Sequence, residues 1–260
     1  MTQLLRDRIA LITGGAAGIG EGATRVLASQ GAGVAICDRD EERGIRLAAE
    51  LSEKGQVAAF FAADYLDPDS ARAAVTQAVD HFGALDIVVN NVGGVKPRKL
   101  IDQNSSNWER IINLNMMSMV VTTQQASHHL RDHGTIVNVS SSEAYRAAPG
   151  YSIYSACKAA ITQFTKTMAL ELSSRSIRVN CIAPDHVVTP GLSGLMNVDR
   201  ADRDRNVPLA RMAKIEEVGQ VIAFLAGPQA SWINGVTIPV DGGITAASGW
   251  HRDTSGEWAL

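Results

Sequence analysis

The chain has 260 residues, 45% hydrophobic and 20% charged, with a formal net charge of −3. This is the composition of an ordinary globular protein with enough apolar side chain for a sizeable core, and it excludes disordered and fibrous classes. The cations are scattered and the run VDRADRDR at 198–205 is mixed in sign, so no nucleic-acid patch is expected. No apolar run approaches the ~18–20 residues of a membrane span.

The first apolar run, in MTQLLRDRIALITGG, ends in a glycine turn rather than a small-residue cleavage site, so it reads as a strand and not a secretion signal. Strand-length runs rich in β-branched residues then recur at 8–13, 33–38, 57–62, 85–90, 134–140, 177–182 and 236–241. Helical patterns separate most of them. Asp67-Pro68 starts one such helix, and glycines at 31, 55 and 83 close three. Apolar strands alternating with helices predict an α/β fold with a parallel sheet covered on both faces. No linker, fixed-period repeat or low-complexity tract interrupts the pattern, so residues 1–260 read as one domain. Cys37, Cys157 and Cys181 lack CxxC spacing, which predicts reduced thiols. His128, His129 and His133 have no carboxylate or cysteine at ligand spacing, so no metal is expected. A cytoplasmic protein is the default.

The first strand runs directly into TGGAAGIG at 13–20 and then a helix. Glycines there let the backbone approach a pyrophosphate, which the exposed amides of the helix start favour. Gly14, Gly18 and Gly20, with Ile19 between the last two, form the expected cradle. The second strand ends in Asp38, 18 residues after Gly20. A carboxylate there accepts from both adenosine ribose hydroxyls and repels a 2′-phosphate. Arg39 follows and could pair with such a phosphate, but Ala17 adds no positive charge in the turn. NAD is therefore expected over NADP.

The stretch SSSEAYRAAPGYSIYSACK at 140–158 holds three tyrosines, and only Tyr154 has a lysine four residues on. Residues 151–173 are helical in pattern, so Tyr154 and Lys158 project from one face a turn apart. A phenol titrates near pH 10, and bringing it to about 7 needs roughly 4 kcal/mol of preference for the phenolate. A nearby Lys158 and a positively charged oxidised nicotinamide are the expected suppliers.

These motifs, in order, resemble the short-chain dehydrogenase/reductase family in its ~250-residue single-domain form: TGGAAGIG, Asp64 after the third strand, NNVG at 90–93, Asn115 in WERIINLNMM, Ser141, Tyr154-x-x-x-Lys158 and VDGG at 240–243. The resemblance covers residues 7 to about 243. It implies a Rossmann-like, doubly wound sheet of seven parallel strands, with a nicotinamide cofactor across their carboxyl ends. It implies a Ser141, Tyr154, Lys158 and Asn115 group in which Ser141 bonds the substrate oxygen, Tyr154 moves its proton, Lys158 holds the cofactor ribose and Asn115 anchors a relay water. Ser141 is placed by its family-like separation from Tyr154. Positions resembling Asp64 and Tyr65 line the adenine pocket, Asn91 and Gly93 lie beside the cofactor, and Val187 and Thr189 reach the nicotinamide amide. Asn90 is either a buried structural residue or a cofactor contact.

Two departures stand out. Val92 replaces the family's usual alanine, and Pro184-Asp185-His186 replaces its usual Pro-Gly. Asp185 and His186 are either a solvent-facing pair or a contact for a polar substrate group. Residues 190–213 lie where the family carries a lid, and Leu192, Leu195 and Met196 either face the substrate or pack a helix. Val95, Tyr145 and Tyr151 are further candidates for the pocket wall. The tail at 244–260, with Trp250 and Trp258, either anchors on another surface or frays.

The resulting expectation is an NAD-dependent oxidoreductase acting on a secondary alcohol or ketone, apolar or alicyclic, and forming a homotetramer. The rivals are an NADPH-dependent 3-oxoacyl-thioester reductase and, in another class, a catalytically silent nucleotide-binding scaffold.

Overall fold

The computed structural model describes residues 3–190, 207–253 and 255–259. Its main sheet holds β1 (Ile9–Thr13), β2 (Gly33–Asp38), β3 (Ala58–Ala62), β4 (Leu85–Asn90), β5 (Leu130–Val139), β6 (Arg178–Pro184) and β7 (Thr237–Val240). These lie in the order β3-β2-β1-β4-β5-β6-β7, with every pairing parallel. The strand order reverses between β1 and β4, which puts a ligand crevice at their carboxyl ends.

Alternation along the strands divides the core. Ala10, Ile12, Val34, Ile36, Ile87, Val89 and Val137 face one side, under α1 (Gly18–Ser29), α2 (Glu41–Glu53) and α7 (Ile215–Ala226). Leu11, Ala35, Cys37, Val88, Ile136 and Val179 face the other, under α3 (Pro68–Phe82), α5 (Ser118–Ser127) and the end of α6 (Ser152–Glu171). Each fully buried Leu or Ile contributes about 1.5–3 kcal/mol, so both faces must be covered. Sequence signals mark the helix ends as expected. Asp67 caps α3 by accepting from the Asp69 amide, Pro68 opens it, and Gly83 closes it at φ 72°.

Three features go beyond the sequence reading. First, β5 begins at Leu130 rather than 134, with a register shift opposite Leu85 and Ile87. The polar residues 131–133 hid this start, but Arg131 has a partner inside. Its guanidinium and that of Arg8 reach the fully buried Asp86 carboxylate at 2.5 and 3.0 Å, and the Ile9 amide donates to the same group at 2.8 Å. Second, a π-helical segment at Asn113–Met117 joins α4 (Ser105–Ile112) to α5. Third, the tail does not fray. His251–Arg252 pairs antiparallel with Trp258–Ala259, and the Arg252 guanidinium lies 4.6 Å from the Trp258 ring centroid. Among the described residues no helix is long and apolar enough to cross a membrane.

Candidate active site

The glycine turn after β1 is built to come close to a ligand. Gly14 and Gly18 take φ values of 63° and 56°, which favour glycine. A Cβ on Gly20 would stand 1.9 Å from the Gly14 carbonyl oxygen, so no side chain fits where α1 meets the turn. Ile19, between them, is half-buried. Asn91, just after β4, ties down the turn by donating to the carbonyls of Thr13 (3.0 Å) and Gly14 (3.2 Å). Thr13, which sequence reasoning passed over, accepts from the amides of Asn91 and Val92 at 2.9 and 3.1 Å. Asn90 faces inward instead, donating to Thr123 and to Asn138 in a buried polar ladder. That is the structural of its two readings.

Asp38 ends β2 with its carboxylate fixed by backbone amides, Ala16 to Oδ2 and Asp40 to Oδ1, each at 3.1 Å. Around the groove beside Ala16 and Ala17 the guanidiniums are already paired. Arg25 binds Glu50 bidentately and also Glu21, while Arg43 meets Asp40. Arg39 is exposed. At the adenine end Asp64 is exposed, but the Tyr65 side chain turns into the core beside Cys37, where burial pushes its hydroxyl up in pKa. These residues fit a dinucleotide: a side-chain-free cradle at a helix start, and an anchored carboxylate at the ribose position. Gly14, Gly18, Ile19, Gly20 and Asp38 would hold it.

At the carboxyl ends of β5 and β6 the reactive side chains meet. Tyr154 and Lys158 stand one turn apart on α6, with the Lys158 Nζ 5.5 Å from the Tyr154 ring centroid. Lys158 is 2% exposed and donates to the Val139 carbonyl at 3.0 Å. Burial pulls its pKa down to about 8. Ser141, itself buried, works to lower the Tyr154 pKa. Burial drives the Tyr154 pKa well above the usual phenol value, and the negative charges of Glu143 and Asp185 add to the rise.

Asn115 sits in the π-helical segment. Its side chain donates to the carbonyls of Gly94 and Ile111 and accepts from the Gly94 amide, each at 2.9 Å. Gly93 closes the group: a Cβ there would lie 2.8 Å from Asn115 Oδ1 and 3.0 Å from Lys158 Nζ. Thus Ser141, Tyr154, Lys158, Asn115 and Gly93 converge from four parts of the chain.

The departure at Pro184-Asp185-His186 is not a solvent-facing pair. Asp185 accepts from Ser142 Oγ at 2.5 Å, Arg146 at 2.6 Å and His186 Nδ1 at 2.6 Å. Its pKa falls despite burial, because His186, Ser142 and Arg146 favour the carboxylate. His186 holds a φ of 43°, as a glycine would. Arg146 also reaches Glu143 at 3.2 Å, and Ser141 donates to Glu143. Sequence reasoning missed Glu143 and Arg146. Their one visible signal was a carboxylate two residues past Ser141.

Of the pocket-wall candidates, Tyr151 packs edge-on to Tyr154 with centroids 6.1 Å apart, Tyr145 is largely exposed and Val95 is half-buried. Val187 is buried and bridges to Ala213, and Thr189 stands 3.3 Å from where a Gly18 Cβ would project. Leu192, Leu195 and Met196 lie outside the described residues.

Residues 14–245 match the family described as enoyl-(acyl carrier protein) reductase, one of the short-chain dehydrogenase/reductase groups. The chain belongs to the short-chain dehydrogenase/reductase family. It is similar to a 3-oxoacyl-[acyl-carrier-protein] reductase of Chlamydia muridarum, 35% identical over 94% of this chain and 100% of the relative. It is 36% identical to a cis-4-hydroxycyclohexanecarboxylate dehydrogenase of Sinomonas cyclohexanicum, over 95% of this chain and 100% of that one. A solved short chain dehydrogenase of Burkholderia cenocepacia in complex with NADP aligns with TM-score 0.87 at 33% identity, covering 93% and 99% of the two chains. This short-chain dehydrogenase/reductase is accordingly a nicotinamide-dependent oxidoreductase acting on an alcohol or ketone.

Proposed function

We propose that the protein oxidises a secondary alcohol, apolar or alicyclic, to a ketone using NAD, with Tyr154 as the base. The observation that carries this reading is Tyr154 one turn from buried Lys158, its Nζ 5.5 Å from the ring, with the anchored carboxylate of Asp38 at the carboxyl end of β2 on the same edge of the sheet. The relative acting on cis-4-hydroxycyclohexanecarboxylate supports the alicyclic choice. Asp38 supports NAD, because a fixed carboxylate accepts from ribose hydroxyls and repels a 2′-phosphate.

The bound nicotinamide supplies the hydride acceptor. The chain's own residues manage the proton. Tyr154 takes it from the substrate hydroxyl, and Ser141 bonds the substrate oxygen. Lys158, with a pKa of about 8, still carries most of its charge at neutral pH and favours the phenolate beside it. Asn115 fixes the loop at Gly94 against the helix, which holds Gly93 close to Lys158. General acid–base assistance of this kind is worth about 10²–10⁴ in rate.

The test is Tyr154→Phe: turnover of alicyclic alcohols, read as reduced nicotinamide absorbance, should fall by about 10²–10⁴ with NAD binding retained. Near-full turnover would sink the assignment. Burial holds the Tyr154 pKa high in the free protein, so it must be brought down by the positive charge of bound oxidised nicotinamide. With NAD saturating, alcohol oxidation should rise with pH as Tyr154 ionises, then level off or decline above about 8 as Lys158 loses its proton.

A second reading, a 3-oxoacyl-thioester reductase using NADPH, is favoured by the Chlamydia relative, by the NADP-bound neighbour and by exposed Arg39. Dissociation constants for NADH and NADPH decide between them. Asp38→Ala should narrow a preference for NADH by about tenfold. We also propose a cytoplasmic homotetramer. Three buried free cysteines support the compartment, and exposed Ile101, Trp108, Ile112 and Met117 support the assembly. Light scattering should give four times the 27.7-kDa chain mass.

A further inference from the structure

Glu143 is a carboxylate in contact with the serine assigned to the substrate oxygen, and the mechanism above does not use it. A serine hydroxyl has one hydrogen and two lone pairs. Here the hydrogen goes to Glu143 Oε2, and one lone pair takes the Glu143 backbone amide at 3.3 Å. Glu143 is held from a further direction by the Arg146 guanidinium at 3.2 Å, while the one Ser142 hydrogen goes to Asp185 at 2.5 Å. Arg146 is in turn fixed by Asp185 at 2.6 Å, so the carboxylate cannot easily swing away.

We propose that Glu143 is a positioning residue. By taking the one hydrogen of Ser141 it occupies that serine's donor, and only release of the hydrogen lets Ser141 donate to a phenolate or a substrate oxygen.

This rests on the reading of Tyr154 as the base. Glu143 then opposes the phenolate twice, by its own charge and by withdrawing the Ser141 donor. A charge-assisted bond is about twice as strong as a neutral one, so the competition for that hydrogen is a real one. The ketone product, which needs a donor, is bound more weakly while Glu143 keeps it, which favours product release. The ionisable groups facing Tyr154 are Glu143 and Arg146 from the turn after β5, Tyr151 and Lys158 from α6, and Asp185 and His186 from the end of β6. His186 is the one imidazole among them.

The experiment measures the acid limb of alcohol oxidation in Glu143→Gln, Glu143→Asp and His186→Gln, with melting temperatures as the check on folding. Glu143→Gln should move the midpoint down by about one pH unit, a tenfold higher rate well below it, and should bind cyclopentanone about tenfold more tightly. Glu143→Asp should restore part of the shift. A merely structural Glu143 would lower the rate at every pH without moving the midpoint and would weaken ketone binding, and either result overturns the proposal. So does a limb that disappears in His186→Gln. Phenolate absorbance of the NAD-saturated protein, taken as the difference from the same protein carrying Tyr154→Phe, reads the same shift without turnover. A protein that shows the phenolate shift but oxidises no alcohol therefore counts against the function, not against Glu143. Unshifted absorbance counts against Glu143 alone.

Discussion

At the amino edge of the sheet Asp86 is fully buried and meets two guanidiniums and a backbone amide. At the carboxyl edge Lys158 is almost as deeply buried, yet among the described residues its ammonium has one hydrogen bond, to the neutral Val139 carbonyl. The two edges handle a buried charge in opposite ways, and their pKa directions record it. Burial alone would raise the Asp86 carboxyl, but Arg131, the Ile9 amide and Arg8 more than offset it and hold it low. For Lys158 burial wins and the value falls to about 8. A fully matched charge stabilises the native state. An under-matched one costs stability and keeps its field for whatever binds beside it, here the Tyr154 phenolate and a cofactor ribose.

The sharpest way to test that contrast is Lys158→Met. Turnover should drop by about 10²–10⁴, while the melting temperature of the cofactor-free protein should rise, by about 1–3 kcal/mol in stability, because a depressed lysine pKa marks a cost still present at neutral pH. A lower melting temperature would show that Lys158 is a structural charge after all. Asp86→Asn should do the reverse, costing about 3 kcal/mol in a urea titration with turnover per folded molecule unchanged. Since the folded Asp86 value is depressed, its contribution is present above the unfolded carboxyl pKa of about 3.9 and fades as pH falls through the lower folded value. The difference between wild type and Asp86→Asn should therefore shrink below about pH 4. A smaller effect is expected of Gly93→Ala, whose methyl would press on Asn115 and Lys158. It should cut turnover about tenfold with little change in melting temperature, since Gly93 itself is exposed.

The same contrast sorts what the sequence could reveal. The sheet was legible because each strand is apolar on both faces, and the α6 pair because four residues is one helical turn. Asp38 was legible from its place at a strand tip. Asp86 was not, because its partners Arg8 and Arg131 come from distant strand starts and polar residues masked the beginning of β5. Glu143 and Arg146 escaped because they lie in a short turn with no periodicity, and only the fold brings them to Asp185. Tyr65, expected at the adenine pocket, shows that adjacency to a site residue does not fix side-chain direction: Asp64 is exposed and Tyr65 turns into the core.

The π-helical segment at Asn113–Met117 carries one residue more than a regular helix would hold over the same path. Removing one residue there would let α4 run straight into α5 as a regular helix over the same path, undoing the local bulge that presents Asn115. Asn115 would then leave Gly94 while the hydrophobic sheet stayed intact. The group around Lys158 thus hangs on a countable surplus in the chain, and a three-base deletion separates a protein of this fold with that asparagine in place from one without it.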